Sequence, residues 1–306
     1  VDVLKSQTDN IAKEDAYTLA LFAQDEIKLL RNLQALIGVR YIYHENFKNH
    51  ATPNVALMYK PGKFNFRASY AAGFRTPTLS ELYATDIAKK NDRLTIGNLD
   101  LKPEKNNYFS LSAEYVHERF SVSVNAFYNN IRDMIDYNTI ATGDKAMEQY
   151  GHKEVRQRDN IAEAKVHGIN VSANAYLGAG FNLSGGYTHL NTQDVELEQP
   201  IDKSIKNAYN INAQWAHSWK IYRLNINLNG RFNSKRFSKS YGYAPEYQLW
   251  DLNTRHSFNL KSVIIEPGCG MENLFDYMDD RPYNSNYATL TPGRSFYISL
   301  SLKFKS

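Results

Sequence analysis

The last strand-like segment of the chain limits the possible folds more than any other feature. Between Arg294 and Phe304 apolar and polar residues alternate, which is the two-residue period of a β-strand with two different faces. One face carries Phe296, Ile298, Leu300, Leu302 and Phe304, and the other carries Tyr297, Ser299, Ser301 and Lys303. A soluble sandwich could end in such a strand, but the pattern is typical of a transmembrane barrel strand with one face toward lipid.

Hydropathy argues against membrane-spanning helices. The mean hydropathy is −0.54, and apolar runs such as 19–23 and 263–265 are far shorter than the roughly 18 residues that a spanning helix needs. A barrel remains possible, because half of each barrel strand faces water. The 22 tyrosines and 15 phenylalanines, against three tryptophans, fit the aromatic girdles of such barrels.

Cysteine and charge content narrow the class further. The single cysteine, Cys269, excludes an internal disulfide and a cysteine zinc cluster, so we expect a buried or lipid-facing thiol. The net charge of +4 is spread without a basic block, which argues against a nucleic-acid partner. No signal-peptide pattern follows Val1. For an outer-membrane protein we therefore expect an N-terminal part outside this sequence.

Period-2 runs predict about thirteen strands. The candidate ranges are 15–29, 31–44, 53–60, 63–74, 104–116, 119–133, 158–177, 181–191, 206–217, 220–232, 246–259, 262–273 and 294–304. Their polar faces include Arg67, Arg223 and Arg231. Each arginine would cost roughly 2–4 kcal/mol at a lipid midplane but little in a wet lumen. A soluble sheet with one solvated face explains each strand separately just as well.

The connections between the strands alternate in length, which favours the barrel. Tight turns are expected at Pro61-Gly62, His117-Glu118, Gly178-Ala179-Gly180, Ser218-Trp219 and Lys261. Long polar loops are expected at 45–52, 75–103, 136–157, 192–205, 233–245 and 274–293. Short turns at one end and long extracellular loops at the other are typical of outer-membrane barrels. The charged 136–157 loop is predicted to be mobile.

Several motifs carry a resemblance to a known family. Residues 73–83 read GFRTPTLSELY, 97–104 read GNLDLKPE, 160–164 read NIAEA before Gly168, 272–276 read ENLFD and 293–296 read GRSF. In this order the motifs resemble the barrels of TonB-dependent outer-membrane receptors, whose two boxes are often of FRAP and NPNL type. The resemblance covers the chain from about Tyr41 to its end.

The resemblance implies an all-β antiparallel transmembrane barrel, multi-pass in the bacterial outer membrane. Residues 1–306 would be one incomplete domain, about the last 13 strands of an expected 22, without the plug and the TonB-contacting segment. The implied partners are the inner-membrane TonB complex, a small-molecule iron complex or similar solute, and the lipid bilayer with its lipopolysaccharide. The barrel would be monomeric, and a surface lipoprotein could hand over the solute. No cofactor or resident metal is expected.

The two boxes have a structural interpretation. Pro77 fixes its own backbone and biases Thr76 toward extended geometry, so the strand would leave for the loop at a set angle. Arg75 is predicted to pair with a carboxylate, and the local choices are Glu81, Asp100 and Glu104. We favour loop shaping over substrate contact for these residues.

Substrate contacts are expected on the long loops. Haem would need an axial histidine or tyrosine, and a siderophore would need aromatic rings with arginine or lysine. The candidates are His44, His50, Arg75, Tyr83, Tyr150, His152, Tyr241, Tyr243, Arg281, Tyr283 and Tyr287. Some haem receptors of the family carry a histidine between the two boxes. Residues 78–96 of this chain contain no histidine, and Tyr83 is the only possible haem ligand among them. A solvated loop residue is the simpler interpretation of each histidine.

Other functions are disfavoured. No Gly-x-Ser-x-Gly elbow, His-Glu-x-x-His helix or phosphate loop occurs, so we expect no enzyme. A passive porin and a soluble β-rich binding module are lesser alternatives. The predicted function is TonB-energised uptake of a scarce solute, first an iron complex such as a siderophore or haem, and alternatively cobalamin or a glycan.

Overall fold

A computed structural model describes residues 2–4, 14–239, 241–279, 288–289 and 291–305. Thirteen long strands follow one another in chain order, each hydrogen-bonded antiparallel to the next. They are β3 (Thr18–Leu30), β4 (Leu33–His44), β5 (Lys48–Tyr59), β6 (Phe64–Arg75), β9 (Glu104–Val116), β10 (Phe120–Thr142), β11 (Glu154–Gly178), β12 (Phe181–Asp194), β13 (Asn207–Trp219), β14 (Tyr222–Asn233), β17 (Tyr247–Asn259), β18 (Val263–Glu272) and β19 (Ser295–Phe304). We call this sheet the wall.

The short elements lie between the wall strands or before them. They are β1 (Asp2–Leu4), β2 (Glu14–Ala16), α1 (Leu79–Tyr83), β7 (Thr85–Ala88), β8 (Arg93–Ile96), α2 (Gly143–Tyr150), β15 (Arg236–Ser238) and β16 (Gly242–Ala244). β1 pairs with β2, and β15 pairs with β16. In the described part of the chain, no helix is long and apolar enough to cross a membrane.

The strand order confirms the predicted fold class. An uninterrupted antiparallel meander is the order of an up-and-down barrel, whereas Greek-key sandwiches carry crossovers between sheets. Within the described residues, β3 and β19 each have one neighbouring strand in the wall, so the barrel is not closed. The number of wall strands equals the predicted thirteen.

One face of the wall is apolar and is bordered by aromatic rings. The rings of Phe64 and Phe120 lie 4.9 and 5.6 Å from that of Tyr115. Further along the same strands, the ring of Tyr70 lies 4.9 Å from that of Phe109. Tyr128 on β10 is the direct pairing partner of Phe109 and completes this second row. Between the two rows lie Phe66, Ala68, Leu111, Ala113, Val122, Val124 and Ala126, paired in register. We call this surface the apolar face.

The opposite face of the wall is polar and hydrogen-bonded from strand to strand. The Ser69 and Ser110 hydroxyls lie 2.7 Å apart, and Asn212 Nδ2 donates to Asn227 Oδ1 at 2.7 Å. Because side chains alternate between faces, each such pair lies opposite the apolar side chains of its neighbours. The alternation predicted from the sequence is therefore present in the structure. Cys269 is exposed on the apolar face, opposite Ile298.

Several predicted loops are wrong in extent. Residues 136–157 are not a loop, because β10 and β11 continue as a hairpin around α2. The 45–52 loop shrinks to 45–47, since β5 begins at Lys48, whose φ of 62° makes the tight turn. The predicted loop 233–245 contains β15 and β16, and 75–103 contains α1, β7 and β8. β15 pairs with β16, and β7 pairs with β8. These strands have only three or four residues, so a search for strands as long as those of the wall could not detect them.

Candidate functional site

The predicted site residues that the structure describes lie at the end of the wall that carries the long connections. Two connections dominate it. One is the 76–103 segment between β6 and β9. The other is the tall hairpin, by which we mean residues 134–163. β9 pairs with β10 only as far as Arg132, and β12 pairs with β11 only from Ala164, so the tall hairpin rises beyond both neighbouring strands.

The arginine cluster joins the 76–103 segment to the wall, and we define it as Arg75, Glu81 and Glu104. Arg75 Nε donates to Glu104 Oε2 at 2.7 Å, and its Nη2 donates to Glu104 Oε1 at 2.5 Å. The remaining Nη1 donates to Glu81 Oε2 at 2.9 Å. This two-pronged geometry suits a planar guanidinium and is the stronger form of ion pair. The pairing predicted for Arg75 is confirmed for Glu81 and Glu104, while Asp100 is not among its partners.

Both carboxylates of the arginine cluster stay ionised. Their side chains are 12% exposed for Glu81 and 17% for Glu104. Burial disfavours the charged form, but hydrogen bonds from Arg75 and Thr78 hold the pKa of Glu81 below its ordinary value. For Glu104 burial acts in the same direction, and hydrogen bonds from Arg75 and the Ile135 amide keep its pKa low. At neutral pH the cluster therefore consists of one guanidinium cation and two carboxylate anions.

Helix α1 begins where the sequence supplies a capping box. The Thr78 hydroxyl accepts from the Glu81 amide at 3.2 Å, and Glu81 Oε2 accepts from the Thr78 amide at 2.9 Å. Thr78 is extended, with φ −75° and ψ 157°, a conformation that the preceding Pro77 does not obstruct. One carboxylate thus caps the helix and binds Arg75, which fixes the start of the helix relative to β6.

Gly97 and Asn98 close the other end of α1. The Gly97 amide donates to the Ala84 carbonyl at 2.8 Å, and the Asn98 amide donates to the Glu81 carbonyl at 3.0 Å. A Cβ on Gly97 would lie 2.4 Å from the Leu82 carbonyl oxygen. Only glycine permits this approach, which gives the second box a physical explanation.

Asn160 ties the 76–103 segment to the tall hairpin. Its Oδ1 accepts from the Lys102 amide at 2.7 Å, and its Nδ2 donates to the Lys102 and Asp133 carbonyls at 2.9 and 2.6 Å. Asp133 has a positive φ of 55°, and β10 resumes pairing with β11 directly after it. Asn160 therefore provides hydrogen-bond partners for backbone groups of the 76–103 segment and of the irregular position at Asp133 in β10. Glu104 Oε1 also accepts from the Ile135 amide at 2.8 Å.

A small apolar core lies beside these hydrogen bonds. Leu82, Leu101 and Ile135 are buried together, and Phe47 and Tyr83 pack against them. The five residues come from the β4–β5 turn, α1, the end of the 76–103 segment and the tall hairpin. The core therefore holds three connections against one another.

The tip of the tall hairpin has a second core. Ala141, Ala146 and Val155 are buried, and Leu94, Ile96, Ile140 and Tyr150 pack around them. β8 pairs in parallel with the edge of β11 from Glu154 to Gln157. The 76–103 segment thus supplies one more strand to the tall hairpin, and the two connections form one folded unit.

The His152–Asp92 pair makes the outermost link between the two connections. His152 Nδ1 lies 2.9 Å from Asp92 Oδ1, and the Lys153 amide donates to the Asp92 carbonyl at 3.1 Å. The hydrogen bond from His152 lowers the pKa of Asp92. Their side chains are 20% and 37% exposed, so this pair is more open to water than the carboxylates of the arginine cluster.

All three predicted haem-ligand histidines make contacts with the protein. His44 is buried, with its ring 5.1 Å from that of Phe47, which contradicts a solvated loop position. His50 lies on β5, stacks on Phe74 at 3.7 Å and donates from Nε2 to the Phe47 carbonyl at 2.8 Å. His152 faces Asp92. Their role as axial ligands stays a prediction.

The predicted tyrosines occupy different surroundings. Tyr83 and Tyr150 pack against the two cores. Tyr241 and Tyr243 are 41% and 54% exposed near the β15–β16 hairpin, so a solute could reach them. Arg281, Tyr283 and Tyr287 lie outside the described residues.

A further pair was not predicted from the sequence. The Arg158 guanidinium lies 3.7 Å from the centroid of the Tyr137 ring, and its Nη2 donates to the Tyr137 hydroxyl. Tyr137 and Arg158 are direct partners in the tall hairpin. Because the sequence suggested a loop there, only recognition of the hairpin register could have revealed the pair.

Comparison with known proteins agrees with this architecture. The family model described as TonB dependent receptor-like, beta-barrel, matches residues 2–274. Among solved structures, a mutant of the ferric enterobactin receptor PfeA of Pseudomonas aeruginosa has a TM-score of 0.77 at 20% identity, covering 98% of this chain and 46% of that one.

Two other solved structures share the fold. The siderophore receptor PirA of Acinetobacter baumannii has a TM-score of 0.74 at 17% identity, covering 97% of this chain and 48% of that one. The copper transporter OprC has a TM-score of 0.73 at 12% identity, covering 95% and 49%. This chain thus spans just under half the length of each of these proteins. With most of its length matched by the family model, the chain belongs to the TonB-dependent receptor family and forms part of its β-barrel.

Proposed function

We propose that this chain is part of an outer-membrane receptor that takes up a scarce solute with energy from the TonB complex. The observation that carries the proposal is the thirteen-stranded wall with one polar and one apolar face, within a family of such receptors. Residues 1–306 would form a single incomplete domain, the last thirteen strands of a 22-stranded barrel. The complete protein would act as a transporter and not as an enzyme.

An iron complex is the proposed solute, with a siderophore ahead of haem. The names of two similar structures, a ferric enterobactin receptor and a siderophore receptor, support an iron chelate. The burial of His44 and the stacking of His50 on Phe74 at 3.7 Å weigh against haem, because iron must reach a ring nitrogen. The contact of His152 with Asp92 engages only Nδ1 and carries no weight against haem. Cobalamin and glycans remain as alternative solutes.

The proposed solute contacts are the exposed aromatic and basic residues of the connections. Tyr241 and Tyr243 offer ring faces, and Arg281, Tyr283 and Tyr287 would add to them from the connection between β18 and β19. Rings bind aryl groups, and arginine compensates the negative charge of a ferric chelate. Arg75 is assigned to holding the 76–103 segment, since its donors already bind two carboxylates.

The proposed partners follow from the same scheme. TonB would bind through an N-terminal part of the complete protein, and the apolar face would contact the outer-membrane bilayer and its lipopolysaccharide. The barrel would be monomeric once closed. A surface lipoprotein could deliver the solute.

Uptake by cells tests the proposal. The full-length protein is expressed in a bacterial strain that lacks its own siderophore and haem receptors, and the cells are given radioactive ferric enterobactin, haemin iron or labelled cyanocobalamin. We expect accumulation of the ferric siderophore that disappears when the tonB gene is deleted. Accumulation independent of TonB would instead indicate a passive channel.

Two variants locate the contacts. Tyr241→Ala combined with Tyr243→Ala should weaken siderophore binding by about tenfold, the loss of one or two stacking contacts. The control is Tyr176→Ala, an equally exposed tyrosine at the end of the wall that carries the short turns. A haemin titration serves as the contrary test: a saturable Soret shift that His44→Ala or His152→Ala abolishes would replace the siderophore by haem.

A further inference from the structure

A groove crosses the apolar face beside the aromatic row formed by Tyr70, Phe109 and Tyr128. It has a volume of about 560 Å³ and runs over β5, β6, β9 and β10. Leu111 projects between Ala68 and Ala126, its direct partners on the two neighbouring strands, and these small side chains open the recess beside it. The rings of Tyr70, Phe109 and Tyr128 also line the groove. The groove has the volume and the largely apolar lining to hold a hydrocarbon chain.

Two cations lie beyond the groove on the same face. Lys105 is directly opposite Arg132 in the pairing of β9 with β10. Lys105 is four residues before Phe109 on β9, and Arg132 is four residues after Tyr128 on β10, so both cations lie on the apolar face and toward the long connections. Both side chains are exposed. Like charges directly opposite each other in a sheet are destabilising unless an anion lies between them.

The neighbouring charges do not neutralise this pair. Glu163 is opposite Arg132 on β11, but its carboxylate lies 3.8 Å from Lys165 Nζ. No acidic group among the described residues makes a hydrogen bond or ion pair with Lys105 or Arg132. Three cations therefore share one carboxylate, and the surface has an excess of positive charge.

We propose that this surface binds a phosphorylated lipid, with one acyl chain in the groove and the phosphate between Lys105 and Arg132. Four residues span about 13 Å along a strand. A strand tilt of about 45° reduces this to roughly 9 Å of depth, close to the 5–8 Å thickness of one headgroup region. The cations would then lie at the level of the lipid phosphates when the groove lies in the hydrocarbon.

The inference rests on the membrane location of the proposed function but not on the identity of the solute. Charge complementarity selects an anionic lipid over a zwitterionic one, because two cations without acidic partners gain most from a net negative headgroup. The groove selects a lipid over free phosphate, because inorganic phosphate has no hydrocarbon to bury.

Native mass spectrometry of the detergent-solubilised full-length protein tests the proposal. The protein is mixed with phosphatidylglycerol or phosphatidylcholine, and the retained lipid molecules are counted. We expect preferential retention of phosphatidylglycerol. Lys105→Ala combined with Arg132→Ala should reduce the preference roughly 30-fold, the effect of two cations at a membrane surface. The matched control is Lys60→Ala combined with Lys261→Ala, which removes two lysines near the short turns.

A third variant separates the groove from the charges. Ala126→Leu fills the recess without changing the charge, and it should lower retention of both lipids at this position. Unchanged retention in this variant would refute the groove, and inorganic phosphate that competes as well as phosphatidylglycerol would refute the lipid. Equal retention of the two lipids by the unaltered protein would overturn the site while leaving TonB-dependent uptake intact, since the uptake experiment reports on that separately.

Discussion

Two of the attachments that hold the 76–103 segment use the same chemistry with different strength. At the arginine cluster, one guanidinium makes three hydrogen bonds to two carboxylates that are at most 17% exposed. At the His152–Asp92 pair, one ring nitrogen meets one carboxylate at 2.9 Å, and Asp92 is 37% exposed.

The difference teaches that an ion pair stabilises a loop through its surroundings more than through its charges. Around the arginine cluster the same carboxylates also cap α1 and bind the Ile135 amide. Removing one of them leaves several groups without a partner, and that loss is costly where water cannot replace it. Around Asp92 water can compete, so the pair contributes little by itself.

The largest expected effect comes from Glu104→Ala. It removes both bonds from Arg75 to this side chain and the acceptor of the Ile135 amide. We expect the 76–103 segment to lose about 2–3 kcal/mol of its free energy of local opening. Hydrogen exchange of the full-length protein should then accelerate at 76–84 and 134–136. The control is Glu114→Ala on the same strand, whose carboxylate lies 4.0 Å from Arg67; equal acceleration in the control would contradict the role of the cluster.

Asn160→Ala should have the next largest effect. The change leaves the amide and carbonyl of Lys102 and the carbonyl of Asp133 without their side-chain partner. We expect a loss of about 2 kcal/mol, seen as faster exchange at 100–104. Asn138→Ala is the matched control, because that amide makes one long bond of 3.3 Å to Asp159. If the tall hairpin held its place without Asn160, the two variants would behave alike.

Thr78→Ala tests the start of α1. The loss of an N-cap hydroxyl costs about 1 kcal/mol, and the hydrogen bond that the Thr78 amide donates to Glu81 survives the change. Exchange should accelerate in 79–84 and not at the tip of the tall hairpin. Thr78→Ser restores the hydroxyl and should restore the rate; failure of serine to do so would argue that the methyl group and not the cap is responsible.

Acidification should release the segment at a defined pH. The pKa of Glu81 and that of Glu104 are lowered in the folded protein. The stabilisation that these two carboxylates contribute is therefore complete at pH values above the pKa of glutamate in the unfolded chain, about 4.3. It is lost as the pH falls through their lower pKa in the folded protein. Local stability at 76–84 should be constant from about pH 6 to 9 and fall below about pH 4. A change centred near neutral pH would contradict this assignment.

Asp92→Asn should have the smallest effect. The amide can still accept a hydrogen bond from His152, and the Asp92 backbone carbonyl keeps its bond from the Lys153 amide. We expect slightly faster exchange at 90–94 and none at α1. An effect as large as that of Glu104→Ala would show that the two attachments are equivalent and would break the comparison.

The wall could be predicted from the sequence because its signal is repeated and local. Each strand must present one apolar and one polar face, so Phe64, Phe66, Ala68 and Tyr70 mark β6 without knowledge of its neighbours. The pairing of Arg75 was also foreseeable, since its acidic partners lie within a short distance along the chain or in the next strand. The number of strands and the antiparallel barrel class followed from the same pattern.

The folded connections could not be predicted in this way. β8 joins the edge of β11 in parallel across more than fifty residues of sequence, and Tyr137 meets Arg158 only because the hairpin continues beyond the wall. Such contacts depend on which edges remain unpaired once the wall has formed. His44 and His50 illustrate the consequence, because a loop position inferred from polar sequence became a buried or stacked position on a strand.

The sequence by itself determined the period of the strands, the two faces of the wall and the family, because alternation and short motifs are properties of neighbouring residues. Only the tertiary structure decided that the 76–103 segment and the tall hairpin form one unit, and that Asn160, Glu104 and His152 link them. The physical reason is that backbone groups at the irregular end of the wall need partners, and the nearest partners in space are distant in sequence.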